Sequence, residues 1–145
     1  MGVSTLIGCW LLEDCTLIFS DGRPSKTPFQ KGMICYTHSG YMQATLSVFP
    51  RSNPSISGLE RGHKLTEQEK AQAFDEYMSY GGRYSYNSTE VFHNIDFALN
   101  PSIIGTQLKR NYICTEEQLV LSYTHIVRPS LSIQYNLKWK KQQKI

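Results

Sequence analysis

The chain has little of what most readily announces a function. It carries four cysteines, Cys9, Cys15, Cys35 and Cys114, and no two of them stand as CxxC. A structural zinc site therefore has no signature here. Charge is sparse and nearly balanced, with 15 basic against 12 acidic residues and a net charge of +3. That surplus is too small to argue for a nucleic-acid partner. No apolar run approaches the roughly 20 residues of a membrane span. The opening MGVSTLIGCWLL has no basic stretch of the kind that starts a signal peptide. Gly2 invites N-myristoylation, but Leu6 stands where the motif needs Ser or Thr. The one Gly pair, in YGGRY, lacks the Lys-Ser/Thr ending of a phosphate loop. His38, His63, His93 and His125 show no metal-ligand spacing, and no Ser-His-Asp or Cys-His signature is readable. These absences lead us to expect one domain over residues 1–145, cytoplasmic, with reduced cysteines, no cofactor, no metal and no membrane contact. A monomer or homodimer is expected.

What is present is aromatic residues and alternation. The chain is 12% aromatic, and four of its nine tyrosines, Tyr77, Tyr80, Tyr84 and Tyr86, crowd into DEYMSYGGRYSYN. Leu6–Ser20 reads as a first apolar strand that ends at the Asp21-Gly22 turn. In KGMICYTHSGYMQATLSVF, apolar residues recur at period two on both sides of HSG, which predicts a β-hairpin. Residues 50–63 are polar and hold two prolines, the composition of a loop. In LTEQEKAQAFDEYMSYGG the period changes. Thr66 and Glu69 form a capping box, and Ala71, Phe74, Tyr77 and Met78 share a helical face. Gly81 and Gly82 then serve as C-cap residues, giving a helix of about four turns. Period two resumes in RYSYN, TEVFHNIDFAL, GTQLKRNYIC, EQLVLSYTHIV and LSIQYNLKWK. The sum is mainly β: eight antiparallel strands with one helix between strands three and four. Many short, evenly spaced strands favour a closed barrel over a sandwich, because closure removes exposed edges. The helix suits a lid over one barrel mouth, and the Gly pair its hinge or simply its end.

Alternation assigns the faces. Val91, His93, Ile95 and Phe97 share one side of the fifth strand, with Asn94 and Asp96 on the other. The next strand turns Leu108, Arg110, Tyr112 and Cys114 inward. The seventh contributes Leu119, Leu121, Tyr123 and His125, and the last Ile133, Tyr135, Leu137 and Trp139. Trp10 and Leu12 enter from the first strand, Tyr36 from the second and Met42 from the third. An interior of tyrosines and tryptophans with His93 and Arg110 fits a ligand pocket better than a core built for stability alone. Burying His or Arg costs free energy unless partners are present.

The order of these residues also resembles a family. Gly8 and Trp10 in LIGCWLL match the Gly-x-Trp opening of lipocalins. The series KGMICYTHSGYMQATL, TEQEK, YGGRY, VFHNI, NPSIIGTQLKR and EQLVLS resembles the compact lipocalin-like domain of bacteria and fungi. The likeness runs from about Leu6 to Ser122. It implies a calycin-type barrel with a central cavity. Members often stand beside enzymes of secondary metabolism, and some barrels of related architecture are cyclases or isomerases. Fold by itself does not settle function.

Two functions are expected. The first is binding of a small, largely apolar molecule, polyketide- or terpenoid-like, against Trp10, Tyr36, Met42 and Tyr80 on one side. Tyr112, Tyr123, Tyr135 and Trp139 would complete the wall. The alternative is a cofactor-independent cyclase, isomerase or dehydratase in the same cavity. There His93 would move a proton, Tyr84 assist, and Arg110 stabilise negative charge. Each residue also has a plain structural reading. His93 is then a core histidine with hydrogen-bond partners, Arg110 a cation stacked on Trp10, Tyr84 packing under the helix, and Cys114 an inert inward thiol. Tyr77 is expected as helix-face packing, with Tyr80 and Tyr84 at the pocket mouth. The basic tail, with Lys138, Lys140, Lys141 and Lys144, reads as a solvated last strand.

Overall fold

A computed structural model describes residues 6–52 and 64–143. Gly2, the 53–63 part of the loop with His63, and Lys144 lie outside the described residues. Eight antiparallel strands close into a barrel in simple chain order. The strands before the helix are β1 (Gly8–Phe19), β2 (Lys31–Tyr36) and β3 (Tyr41–Ser47). The helix α1 (Glu67–Asp75) leads into β4 (Tyr77–Tyr86) and β5 (Glu90–Ala98). A 3-10 turn at Pro101–Ile103 precedes β6 (Gln107–Cys114), β7 (Gln118–Arg128) and β8 (Leu131–Lys141). Closure comes from β8 pairing back on β1, with Trp10 opposite Lys141 at one end and Phe19 opposite Ile133 at the other. The expected barrel, its strand number and its single helix between β3 and β4 are all found.

Alternation holds wherever the pairing is regular. Ile34 and Tyr36 on β2 and Met42, Ala44 and Leu46 on β3 are all buried. Val91, His93 and Ile95 on β5 are buried too. It fails at two bulges. In β1 the register against β8 shifts between Leu12 and Asp14. Glu13 is the extra residue, so the inner face runs Trp10, Leu12, then Cys15. Cys15 is 2% exposed, so Cys114 is not the one inward thiol. In β5, Ile95 faces Gly82 while Phe97 faces Gly81, which leaves Asp96 unpaired. Phe97, expected inside, is therefore turned out and 53% exposed. His125 is also exposed, contrary to expectation. β6 pairs with β7 only as far as Ser122, and beyond it β7 pairs with β8 alone, while β8 stays paired with β1 as far as Ile133.

The helix differs most from expectation. Its capping box is present: the Glu69 amide donates to Thr66 Oγ1 at 3.1 Å, and the Thr66 amide to Glu69 Oε1 at 2.9 Å. It then stops at Asp75, because the sheet claims the residues beyond. The Val48 amide donates to the Glu76 carbonyl at 2.9 Å, and Tyr77 pairs with Ser47. Tyr77, Met78, Gly81 and Gly82 thus belong to β4, not to a helix and its cap. Met78, Tyr80, Gly82, Tyr84 and Tyr86 recur at period two, a strand pattern that the helical reading of Phe74, Tyr77 and Met78 masked. The Gly pair answers a packing need. A Cβ on Gly82 would lie 1.9 Å from the Asn94 carbonyl oxygen, and one on Gly81 2.6 Å from the Phe97 ring that lies over it. No residue of α1 is buried, and Phe74 is 43% exposed. The helix is held by polar groups instead. Arg51 donates to the Ala73 carbonyl at 2.9 Å. The Glu76 carboxylate accepts from the Ser52 amide at 3.1 Å and from Gln72 at 2.9 Å.

Candidate functional site

One end of the barrel is filled. Trp10 is fully buried there and donates its indole N–H to the Leu6 carbonyl at 2.9 Å. The cation over its ring is Lys141, with Nζ 4.6 Å from the ring centroid, and not Arg110. Lys141 Nζ also donates to the Ile7 carbonyl at 2.7 Å. This explains the Gly-x-Trp pattern physically. Gly8 has φ +139, a backbone conformation that favours glycine, and the Lys141 stem passes close over it, Cε lying 2.6 Å from where a Cβ would be. Tyr36 meets Tyr84 edge-on at 4.9 Å, and Tyr84 stacks on Tyr86 at 6.4 Å. Tyr84 donates to the Thr37 carbonyl at 2.8 Å, and Tyr112 to the Asn87 carbonyl at 2.7 Å. Both hydroxyls tie this end of the barrel to its turns.

In the middle lies a buried polar chain. His93 is fully buried, with Nε2 2.7 Å from the Tyr36 hydroxyl and Nδ1 2.9 Å from the Tyr80 hydroxyl. The histidine from β5 is thus held between tyrosines from β2 and β4. Both of its nitrogens are used, as a buried imidazole requires. Burial, aided by the positive charge of Arg110, pushes its pKa down to about 3. At neutral pH the ring carries no charge. Burial also raises the pKa values of Tyr36 and Tyr80, so both stay protonated.

The other half of the barrel holds a cavity of about 110 Å³. Ile34, Leu46, Met78, Leu121 and Leu137 supply most of its apolar wall, and Pro28 and Phe29 of the β1–β2 connection border it. Tyr80, Arg110, Tyr123, Tyr135, Trp139 and Cys15 complete the lining. Tyr123 and Tyr135 stack face to face across β7 and β8, with centroids 4.4 Å apart. The Arg110 guanidinium sits 3.7 Å from the centroid of the Tyr123 ring and donates to the Lys109 carbonyl at 2.9 Å. Burial pushes the Tyr123 pKa up to about 12 against the opposing pull of Arg110. Trp139 is 1% exposed, and its indole N–H has no hydrogen-bond partner among the described residues.

The structure therefore sorts the sequence-derived residues. Tyr80, Arg110, Tyr123, Tyr135 and Trp139 come together on the cavity. Trp10, Tyr36, Met42, Tyr84 and Tyr112 do not line it, and His93 reaches it only through Tyr80. Tyr80 is buried at 6% exposure, not placed at a mouth. No residue of α1 borders the cavity, so the helix is not its lid. Cys15 escaped notice because a bulge hid its direction, and Phe29 because a loop has no period to read. A larger cleft of about 610 Å³ lies outside the barrel against α1, reaching from Ser52 to Leu65 on either side of the undescribed segment. Its Glu76 carboxylate is already taken by Ser52, Gln72 and Arg51. No group of three or more His, Cys, Asp or Glu among the described residues is placed to hold a metal. No helix among them is long and apolar enough to cross a membrane.

Comparison with known proteins places this geometry in a family. No curated protein matches the chain. Among solved structures, it is similar to a lipocalin-like protein from Bacteroides uniformis, at 15% identity and a TM-score of 0.46. The likeness covers 90% of this chain and 96% of that one. The lipocalin-like domain family matches residues 7–142, nearly the whole length. With its closed eight-stranded barrel and Gly-x-Trp opening, the chain belongs to the lipocalin-like domain family.

Proposed function

We propose that the barrel binds a small, largely apolar molecule in the cavity beside Arg110. The observation that carries this reading is an apolar cavity lined by the Arg110 guanidinium, which has no carboxylate partner among the described residues. A core selected only for stability has little use for a cation there, because moving a charge toward an apolar interior costs free energy unless it is paired. Size limits the ligand. Pockets for drug-sized molecules run to about 300–1,000 Å³, against about 110 Å³ here. One ring or a short chain fits this volume. A polyketide- or terpenoid-like molecule of larger size requires Phe29 and its neighbours at the rim to move.

Binding is favoured over proton-transfer catalysis by His93. A general base works best with a pKa near the operating pH, and His93 lies about four units below neutrality, at about 3. Its two nitrogens are also occupied by tyrosines. A cyclase or isomerase that shapes its substrate without His93 would rest on Arg110 and the aromatic wall alone.

Native mass spectrometry of protein purified from its own host, followed by organic extraction, tests the reading. A retained small molecule is expected. If the chain flies alone and no ring-sized apolar probe shifts its melting temperature, the reading fails.

A further inference from the structure

We propose that the cavity takes a small carboxylate, its head received by Arg110 and the Tyr80 hydroxyl, with His93 as the residue that positions Tyr80. This deepens the binding reading above and rests on it. Arg110 is half-buried and offers five N–H groups, of which one goes to the Lys109 carbonyl. It forms no ion pair with an acidic side chain among the described residues, and no Asp or Glu lines the cavity.

The second donor is identified by proton counting. A neutral imidazole has one N–H and one acceptor nitrogen. If the proton were on Nε2, His93 would donate to Tyr36 and accept from Tyr80. The Tyr36 proton would then be buried, and Tyr36 has no hydrogen-bond partner besides His93 among the described residues and does not line the cavity. With the proton on Nδ1, Tyr36 donates to Nε2 and His93 donates to the Tyr80 oxygen. The spare hydroxyl proton then belongs to Tyr80, the only one of the three residues that borders the cavity. The buried chain of Tyr36 and His93 thus presets Tyr80 as a donor. Two donors, one of them a cation, meet the two oxygens of a carboxylate. The apolar remainder of the ligand lies against Ile34, Leu46 and Leu121.

Four probes of one shape test the proposal on the full chain: benzoate, benzaldehyde, toluene and benzylamine, titrated by NMR at fixed ionic strength. Benzoate is expected to bind on the order of tenfold to hundredfold more tightly than toluene, the range for hydrogen bonds to a charged group. Benzaldehyde is expected between them, and benzylamine weakest. Arg110→Met is expected to remove most of the benzoate preference and leave toluene binding in place. If toluene and benzylamine bind as well as benzoate, the carboxylate proposal falls while the binding reading stands. If none of the four binds, both fall. His93 has its own readout, independent of any variant's folding. Its ring nitrogen-15 shifts are expected to report the Nδ1–H tautomer, unchanged from pH 7 to pH 5. The Nε2–H tautomer would remove Tyr80 as a donor and refute its positioning by His93.

Discussion

The strongest quantitative consequence of the structure is an acid instability governed by one buried ring. His93 has a pKa of about 3 in the folded chain, against the ordinary 6.5 that it regains on unfolding. Between those values the unfolded chain binds a proton that the native barrel refuses. Stability is therefore full above pH 6.5 and falls as the pH drops toward 3. Each pH unit inside that window costs about 1.4 kcal/mol. From pH 7 to pH 5 the loss comes to about 2 kcal/mol, a large share of the total for a domain of this size. Glu76 works in a different window. Hydrogen bonds from Ser52 and Gln72 hold its pKa down to about 2, so its contribution is present above the ordinary 4.5 and is lost as the pH falls through 2. Measurements between pH 7 and pH 5 thus isolate the histidine. Urea denaturation at several pH values across that range, on the wild-type chain and on His93→Gln, is the assay. The wild type is expected to lose stability with decreasing pH, and His93→Gln to be nearly flat though less stable throughout. Parallel slopes in the two proteins would refute the reasoning, because the proton would then be binding elsewhere.

The same structure predicts three further outcomes. His93→Leu strands two buried tyrosine hydroxyls and is expected to cost about 2–6 kcal/mol, at about 1–3 kcal/mol for each unpaired group. Adding Tyr36→Phe and Tyr80→Phe should recover much of that in chemical denaturation, and a triple variant no more stable than the single one would contradict the hydrogen-bond account. Gly82→Ala drives a methyl group into the Asn94 carbonyl oxygen, 1.9 Å from the ideal Cβ position. Loss of at least about 1–3 kcal/mol is expected, read from the melting curve, and an unchanged melting temperature would show that the bulge relaxes freely. Cys9 and Cys35 face each other across β1 and β2 with their sulfurs 3.3 Å apart. The Cys9 carbonyl accepts from the Gln142 amide on the β8 side at 2.8 Å, so the two cysteines form the narrow, non-hydrogen-bonded kind of pair. Diamide, which takes up two hydrogens, is expected to link them within one chain. Peptide mapping that finds both thiols still reduced would rule out that geometry.

Much of the fold was legible in the residues themselves. Period-two alternation with turn residues between the runs marked the strands. Thr66 and Glu69 marked the start of the helix, because a capping box acts over three residues and needs nothing distant. His93 could be placed inside because its strand neighbours Val91 and Ile95 are apolar and Asn94 is not. What alternation could not supply was every break in its own rule. Glu13 and Asp96 look ordinary in the chain, and a bulge is decided by the partner strand's register. So Cys15 turned in and Phe97 turned out unannounced. The end of the helix was likewise decided from outside: Tyr77 and Met78 fit both periods, and pairing of Tyr77 with Ser47 drew them into the sheet. Local sequence determined which segments are strands and which residues face one way together. Only barrel closure decided that Lys141, from the far end of the chain, covers Trp10, while the register of β6 against β7 set Arg110 beside Tyr123. Closure also brought Tyr36, His93 and Tyr80 from three strands into one hydrogen-bonded chain. Those contacts join residues far apart in sequence, and a periodic pattern carries no record of which strand will lie across the barrel from it.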